Sequence, residues 1–409
     1  MPFELFVAMR YLREGRGQTW LILAGVAVGV GVIVFLSALI GGLQDSLIGR
    51  TLGSQAHIVV RPLEEMPRIL PASDGRVREA RVERPAQRIR SIVQWQQARD
   101  EIARLPGVVA TAPTVAGSAL ATRGGGANSV AVRGIEPKSH SRIINLDSML
   151  REGAVELREF RAVIGTELAR VLGLAIGDRF QLSVEAPSGA RSTGTYTVSG
   201  IFDLGNEDLN ERWVFVSLRA AQSMFGLEGG VSTIEVKVGE IYDAERVATE
   251  IASRTGLVAD SWMRTNAQLL AGLQSQSASS VMIQVFVILA VALGIASVLA
   301  VSVVQKSREI GILRATGTST RQVLRIYLIQ GGAIGVAGSV LGIAIGIGLG
   351  VLFSRLSLNP DGTPRFPVTW SGMLYLRTAA IALGVGVTAA LLPARRAARM
   401  DPAQVMRNG

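Results

Sequence analysis

The stretch KSREIGILRATGTSTRQVLRIYLIQG, residues 306–331, lies between two long apolar segments and decides how the chain is organised. Its first part has the pattern of a short amphipathic helix that ends at a turn beginning with Gly317, and a second helix starts at Arg321. Charged and apolar positions mix along the first helix: Lys306, Arg308, Glu309, Ile310, Leu313 and Thr316. Such a helix between apolar segments is placed where a soluble partner can hold it.

Apolar residues make up 48% of the 409 residues, and they are concentrated in blocks. Four blocks reach the roughly 20 residues that a membrane crossing requires: 21–40, 281–304, 327–353 and 373–392. None contains Asp, Glu or Lys, and the one charged residue, Arg377, lies near an end from which it can reach the interface. The sequence predicts an integral membrane protein with four transmembrane helices, and the lack of buried carboxylates argues against ion-coupled transport.

Basic residues flank the spans on one side: Arg10, Arg13 and Arg16, then 306–325, then Arg395, Arg396 and Arg399. The positive-inside rule therefore places both termini and the middle helix in the cytoplasm. The predicted segments are a cytoplasmic helix 1–19, span 20–42, outer domain 43–280, span 281–304, coupling helix 305–326, span 327–353, outer loop 354–372, span 373–392 and cytoplasmic tail 393–409.

The first apolar block could instead be a cleaved signal peptide. It is longer than the 7–15 residues usual for such peptides, and no clear A-x-A site follows it. We therefore expect an uncleaved anchor. The chain has no cysteine, so the outer domain is held by its core without disulfides.

Residue patterns predict an α+β outer domain with an inserted β-rich subdomain at about 140–225. Strands are predicted at 56–60, 108–115, 129–133 and 232–238, with helices at 91–105 and 244–254. The inserted part has strand patterns at 179–184, 194–202 and 212–216, separated by Gly-rich and Pro-rich turns. A further helix is expected from 262 to 276, leading into the second span.

Seven arginines occur between residues 76 and 99, interrupted by Pro85. One interpretation is a solvated insertion without fixed structure. The other is a docking strip for anionic lipid headgroups or an acidic partner.

The chain carries no recognisable catalytic or metal-binding pattern. Its two histidines, His57 and His140, are far apart and lack metal-ligand spacing, so both are expected to be structural. There is no G-x-x-x-x-G-K-[ST] motif to hold a nucleotide phosphate. The net charge of +10 comes without a nucleic-acid-binding motif, and much of it flanks the spans. We expect no cofactor in this chain and no nucleic-acid partner.

Glycines recur every three or four residues along one face of the third span. They are Gly331, Gly335, Gly338, Gly342, Gly346 and Gly350, and Gly25 and Gly29 repeat the spacing in the first span. Small residues at this spacing let helix backbones approach closely in lipid. The stripe predicts tight helix packing, within the chain or in a dimer.

The order of one span, a large outer domain and three further spans resembles the MacB/FtsX-type ABC transporter permeases. The resemblance is carried by EIGILRATGTSTRQVLRIYLIQG (309–331) after the second span and PARRAARMDPAQVMR (393–407) after the fourth. Within that superfamily, the stretches beginning at Ile164 and Val198 are similar to lipoprotein-releasing permeases of the LolC/LolE type, although the arginine-rich insertion is not a feature of those proteins.

The resemblance implies a complex of two permeases, the same chain or a homologous one, with two copies of a separate ATPase that binds ATP and Mg²⁺. Closure of the ATPase would push on the coupling helix and so move the outer domains. Helix-in-groove docking would suit such a contact. The residues predicted to carry it are Glu309, Ile310, Gly311, Leu313, Arg314 and Gly317.

In a lipoprotein releaser, the acylated substrate would enter laterally from the outer leaflet into an apolar cavity and leave on a periplasmic carrier. Candidate residues for this cavity lie in the first two spans: Phe35, Leu36, Leu39, Met282, Val285, Phe286 and Leu289. Two other functions stay open at this stage. One is efflux of macrolides, peptides or glycolipids with an adaptor and an outer-membrane duct, and the other is FtsX-like regulation of cell-wall hydrolases.

Overall fold

The computed structural model describes residues 3–14, 16–63, 89–185, 191–356, 358 and 367–400. The chain divides into two compact units. One comprises Met1–Ile48 and Ala271–Gly409, and we call it the membrane unit; the other, Gly49–Leu270, is the outer domain.

The helices of the described residues, in chain order, are α1 (Phe3–Glu14), α2 (Arg16–Ser54), α3 (Trp95–Ala103), α4 (Pro137–His140), α5 (Thr166–Leu172), α6 (Glu207–Arg212), α7 (Leu218–Phe225), α8 (Ala244–Thr255), α9 (Trp262–Thr265), α10 (Ala267–Gln305), α11 (Ser307–Ala315), α12 (Thr320–Leu356) and α13 (Gly372–Ala398). The strands are β1 (Ile58–Arg61), β2 (Val108–Arg123), β3 (Gly126–Ile135), β4 (Leu150–Gly153), β5 (Arg161–Gly165), β6 (Arg179–Glu185), β7 (Arg191–Phe202), β8 (Trp213–Ser217), β9 (Thr233–Val238) and β10 (Val258–Ser261).

Four helices in the described ranges are long and apolar enough to cross a membrane: α2, α10, α12 and α13. The prediction of four spans is therefore confirmed. Two of them have 39 residues, which at 1.5 Å per residue gives roughly 58 Å, well beyond the roughly 30 Å of a hydrocarbon core. The helix predicted at 262–276 is present but divided at Asn266, which ends α9 before α10 begins.

The core of the membrane unit contains one apolar cluster drawn from α2, α10, α11, α12 and α13. A second, smaller cluster joins Val7, Ala8 and Tyr11 of α1 to Ile326 of α12. Helix α1 is thus fastened to the start of the third span by its apolar face. Polar bonds add to the packing between the first two spans, where Gln44 donates to the Ser277 hydroxyl at 2.6 Å and Gln284 donates to Ser37 at 3.2 Å.

The first and last elements of the outer domain form one half of its sheet. Strands run in the order β10-β1-β9-β2, every neighbouring pair is antiparallel, and helices α3 and α8 make the crossovers. This is the split β-α-β arrangement of ferredoxin-like domains. The two β-α pieces that the sequence indicated, on either side of a β-rich region, belong to this half.

The β-rich region predicted between residues 140 and 225 lies in the connection from β2 to β9. Its strands pair in a closed ring, β2-β3-β8-β5-β7-β6 and back to β2, and the last closure joins Leu120–Thr122 to Gln181–Ser183. The long strand β2 belongs to both halves, so the inserted region continues the same sheet. Phe202 and Phe215 meet edge to face inside the ring, with centroids 5.3 Å apart.

A buried polar cluster lies where the two halves meet. Glu235 of β9 accepts a hydrogen bond from Arg133 of β3, and the Arg133 guanidinium stacks on Trp213 at 4.3 Å. His140, at the end of α4, places Nε2 3.5 Å from Glu235, and burial lowers the pKa of His140. Buried charges of this kind require pairing.

Several predicted boundaries differ from the structure. The predicted helix 91–105 is confined to Trp95–Ala103. The strand predicted at 108–115 continues to Arg123, because its pairing with β3 extends through the whole hairpin. Most of the arginine-rich segment 76–99, much of the loop 354–372 and the end of the tail 393–409 lie outside the described residues.

Candidate functional site

The segment predicted to couple to an ATPase forms helix α11 and the turn that follows it. The helix ends in a Schellman motif, in which Thr318 N–H donates to the Leu313 carbonyl at 3.0 Å and Gly317 N–H donates to Arg314 at 3.2 Å. Gly317 has φ +103°, a conformation that glycine adopts without a Cβ clash. This turn lets the chain reverse between α11 and α12.

Two of the predicted coupling residues are buried in the protein. Ile310 is only 1% exposed and belongs to the main core of the membrane unit, and Gly311 beside it is also buried. Leu313 is half-buried against Tyr11 and Ile326. The sequence interpretation of Ile310 and Leu313 as an apolar ridge open to a partner is therefore not supported by their position: this stripe holds α11 onto the spans.

The opposite face of α11 is exposed within this chain, and Glu309 at its edge also pairs with Lys306. Arg308, Glu309 and Ile312 are exposed, and the Ile312 side chain is 50% exposed. Ala315 and Thr316 extend this face toward the turn. Sequence reasoning missed Ile312, although its spacing of i+3 from Glu309 and i+4 from Arg308 places it on the charged face. We call Arg308, Glu309, Ile312, Ala315 and Thr316 the free face of α11.

Arg314 anchors the end of α11 to the last span. Its Nη1 donates to the Ala398 carbonyl at 3.2 Å and also to the Met400 carbonyl. These carbonyls lie at and just past the end of α13, where a helix leaves its last acceptors unpaired. Arg314 was predicted to face an ATPase, but in the structure it faces inward and joins two elements of its own chain.

Lys306 anchors the beginning of α11 to α1. Its Nζ lies 2.7 Å from a Glu14 oxygen and 3.4 Å from Glu309, and it sits 4.4 Å from the centre of the Tyr11 ring. The hydrogen bond from Lys306, with another from Arg10, lowers the pKa of Glu14 to about 2. Helix α11 is thus attached at both ends, to α1 and to α13.

The glycine stripe of α12 faces two different helices. A Cβ added at Gly335 would meet the Ala382 carbonyl of α13 at 2.6 Å, and Gly331 faces Gly386 of the same helix. Further along, Gly342 lies against Val30 of α2, with Gly338 and Gly346 on either side making the same kind of contact. The last glycine, Gly350, lies under the Trp370 ring. The structure thus accounts for all six glycines by packing within one chain.

The two glycines of the first span differ from each other. Gly29 packs on Val291 and Val287 of α10. No atom comes within 4 Å of a Cβ placed at Gly25, so this chain alone gives Gly25 no packing partner among the described residues. Gly386 of α13, which sequence reasoning did not single out, is the reciprocal contact of Gly331.

The candidate acyl-facing residues divide between an open and a covered set. On α10, Met282, Val285, Phe286 and Leu289 are all exposed and share one face by their three- and four-residue spacing. On α2, Leu36 and Leu39 are half-buried, and Phe35 packs edge to face on Phe353 of α12 with centroids 5.8 Å apart. The open apolar face therefore belongs to α10.

The described residues contain no group of three or more acidic, histidine or cysteine side chains that could hold a metal. The architecture is that of a multi-span permease with a large domain outside the membrane. Two family models match: the MacB-like periplasmic core domain over residues 19–254 and the FtsX-like permease C-terminal region over residues 281–402.

Three curated relatives are similar along nearly the whole chain. The lipoprotein-releasing system transmembrane protein LolC of Xylella fastidiosa is 25% identical, and that of Neisseria meningitidis is 22% identical, each aligned over 99% of both chains. The macrolide export ATP-binding/permease protein MacB of Hyphomonas neptunium is 24% identical over 97% of this chain and 59% of that protein. The solved periplasmic region of MacB from Actinobacillus actinomycetemcomitans is 9% identical over 55% of this chain and 95% of that one, with a TM-score of 0.33.

The chain belongs to the ABC transporter permease family that includes LolC, LolE and MacB. It spans the membrane and carries a periplasmic domain. Permeases of this family work with an ABC ATPase and form oligomers, and the ATPase is a separate subunit from a permease such as this one.

Proposed function

We propose that this chain is a permease subunit that passes ATPase motion to its periplasmic domain and thereby releases lipoproteins from the outer leaflet of the inner membrane. The observation that carries the proposal is the similarity to LolC proteins along 99% of both chains. The open apolar face of α10 adds a surface of the right chemistry, because an acyl chain binds by burying apolar area. Both termini and α11 lie in the cytoplasm in this proposal.

The free face of α11 is the proposed contact with the ATPase. Ile312 supplies an apolar anchor, and Arg308 and Glu309 on the same face supply charges at the rim of the contact. Because Lys306 and Arg314 fasten both ends of the helix, a push on this face moves α1 and α13 with it. The coupling residues proposed from the structure are therefore Arg308, Glu309 and Ile312, with Gly317 shaping the turn.

A co-purification experiment tests the contact. The ATPase should co-purify with the wild-type chain and with Ile312→Leu, and it should be lost from Ile312→Asp, in which a charge replaces the exposed apolar side chain. Because Ile312 is half exposed, the Asp variant should keep the wild-type melting temperature. Retention of the ATPase by Ile312→Asp would refute the assignment of this face.

A depletion experiment tests the substrate. Acylated lipoproteins should accumulate in the inner membrane when the chain is depleted, and the wild-type gene should restore their transfer while Ile312→Asp should not. The similarity to a MacB protein, over 97% of this chain and 59% of that protein, supports a second candidate, macrolide or peptide efflux with an adaptor. Normal lipoprotein sorting together with increased macrolide sensitivity on depletion would favour that second function.

A further inference from the structure

The outer domain contains a cleft of about 780 Å³ that none of the family features explains. Four pieces of the closed strand ring line it: the end of β3, the loop before β5, the first half of β7, and the turn from β8 into α7. Its apolar lining comes from Leu157, Phe160, Tyr196, Leu218 and Met224. The volume is within the range of pockets that bind ligands, and the mix of apolar and polar groups is typical of such sites.

Phe160 at the edge of the cleft has an unusual backbone and an unusual environment. It has φ +59°, the one positive φ of a non-glycine residue among those described, and its side chain is 61% exposed. A bulky residue in this conformation is strained, and such strain concentrates at functional sites. Phe160 lies beside Tyr196, with ring centroids 6.1 Å apart. The strained backbone of Phe160 holds its ring at the mouth of the cleft. The ring stays mostly exposed there, so its burial adds little to the stability of the domain.

Strand β7 offers the cleft an open backbone edge. The N–H of Thr197 donates to the Phe160 carbonyl on the β5 side, and the N–H of Val198 donates to Asp178 on the β6 side. Because backbone groups alternate along a strand, Thr193 and Thr195 direct their N–H and carbonyl groups to the β5 side. Strand β5 begins to pair only at Thr197, so among the described residues no strand pairs with this edge at Thr193 or Thr195.

The residues of this edge are exposed at Ser192, Thr193 and Thr195. Gly194 lies between the two threonines, and a Cβ there would come within 2.9 Å of the Tyr196 ring. The Tyr196 ring thus lies close to Gly194, and it is buried in the domain. The rim of the cleft carries both signs of charge, with Arg158 and Arg219 positive and Glu136 and Glu159 negative. This mixed rim does not favour a strongly charged ligand.

We propose that this cleft binds an extended peptide segment of another protein, which adds as a strand to β7 at Thr193 and Thr195 and places one apolar side chain against the exposed Phe160 ring. Main-chain bonds at a sheet edge together with a pocket for alternate side chains are the features of recognition by strand addition. An acyl chain would use the apolar lining but would leave the open N–H and carbonyl groups unpaired. This inference does not depend on the identity of the transported substrate.

The test uses the full chain in lipid nanodiscs. Random linear dodecapeptides displayed on phage are selected on the wild-type protein, and the strongest binder is synthesised with a fluorescent label. Its affinity is measured for the wild type, Phe160→Gly and Thr195→Pro. We expect at least tenfold weaker binding for both variants, the first because the exposed aromatic ring is lost and the second because an N–H of the open β7 edge is lost while the N–H groups paired with β6 stay.

The control variant is Tyr242→Gly, which removes an exposed aromatic ring of the outer domain that does not line the cleft. It should bind the peptide like the wild type. Phe160→Gly should keep or raise the melting temperature because glycine relieves the positive φ, so loss of binding there would not reflect unfolding. Hydrogen exchange at residues 191–196 should slow when the peptide is bound.

Three outcomes would overturn the proposal. The first is that no selected peptide depends on Phe160 for binding. The second is that a peptide binds without slowing hydrogen exchange at residues 191–196. The third is that palmitate binds in the cleft and peptides do not. None of these readouts uses the ATPase or lipoprotein sorting, so they are separate from the tests of the proposed function.

Discussion

Single residues decide how closely the membrane helices approach one another. At Gly342 the backbone of α12 lies so near α2 that an added Cβ would meet Val30 at 2.5 Å and the Ala27 carbonyl at 2.7 Å. Gly348, six residues further along the same helix and on another face, has no atom within 4 Å of such a Cβ. Two glycines of one helix thus have different roles, which depend on the face that each occupies.

Gly342→Ala should destabilise the protein by about 1–3 kcal/mol, because the added methyl group must displace a backbone carbonyl of α2. Gly348→Ala is the matched control, since both substitutions add the same methyl group to the interior of the same helix. Thermal unfolding of the detergent-purified chain measures both. Equal melting temperatures for the two variants would show that the contact of α12 with α2 is not tight.

Acidification should weaken the outer domain through its two histidines. Burial lowers the pKa of both His57 and His140 in the folded state, whereas both return to about 6.5 on unfolding. As pH falls through about 6.5, the unfolded chain takes up protons before the folded chain does, so stability present above that pH is lost. The melting temperature of the wild type should fall between pH 7.5 and pH 5.5.

The double variant His57→Gln/His140→Gln should show a smaller change of melting temperature over the same pH range, whatever its absolute stability. The measured quantity is the slope against pH, and tryptophan fluorescence can follow unfolding because Trp213 and Trp262 belong to this domain. An unchanged slope would assign the pH dependence to other groups.

At the scale of elements, α11 is a short helix fastened at both ends. Lys306 ties its start to Glu14 of α1, and Arg314 ties its end to the last carbonyls of α13. Its inner stripe, led by Ile310, is part of the core. A helix held in this way moves together with the elements that hold it, while its outer face stays available.

Arg314→Ala and Arg308→Ala should have opposite effects. Loss of Arg314 removes bonds from a charged donor to carbonyls and should cost on the order of 1–2 kcal/mol, with the ATPase still bound. Loss of Arg308 should leave the melting temperature unchanged and weaken ATPase co-purification. Both are measured by thermal unfolding and by the amount of ATPase recovered. Detachment of the ATPase by Arg314→Ala at normal stability would restore the interpretation that this residue faces a partner.

At the scale of the whole molecule, the proposed function has α1, α11 and the end of α13 in the cytoplasm and the outer domain in the periplasm. This orientation is a prediction of the positive-inside rule, made from basic residues that flank the spans, including Arg10, Arg13, Arg395 and Arg396. The family model that matches residues 19–254 describes a periplasmic core domain.

The absence of cysteine from the sequence allows a direct test of orientation. Ile312→Cys and Tyr242→Cys each add a single thiol at a position that is exposed in the structure. A membrane-impermeant maleimide should label Tyr242→Cys in intact spheroplasts and Ile312→Cys only after the membrane is opened. Labelling of Ile312→Cys in intact spheroplasts would reverse the proposed topology.

The sequence alone determined the four spans, the α+β outer domain with its β-rich insertion, and the turn at Gly317. These features depend on local pattern: block hydrophobicity, strand alternation and the one residue that tolerates a positive φ. Tertiary structure alone decided which face of α11 is free, which helices the glycines contact and where the open edge of β7 lies. Ile310 and Ile312 have the same chemistry and differ only in what the rest of the chain packs against them, and no local pattern contains that information.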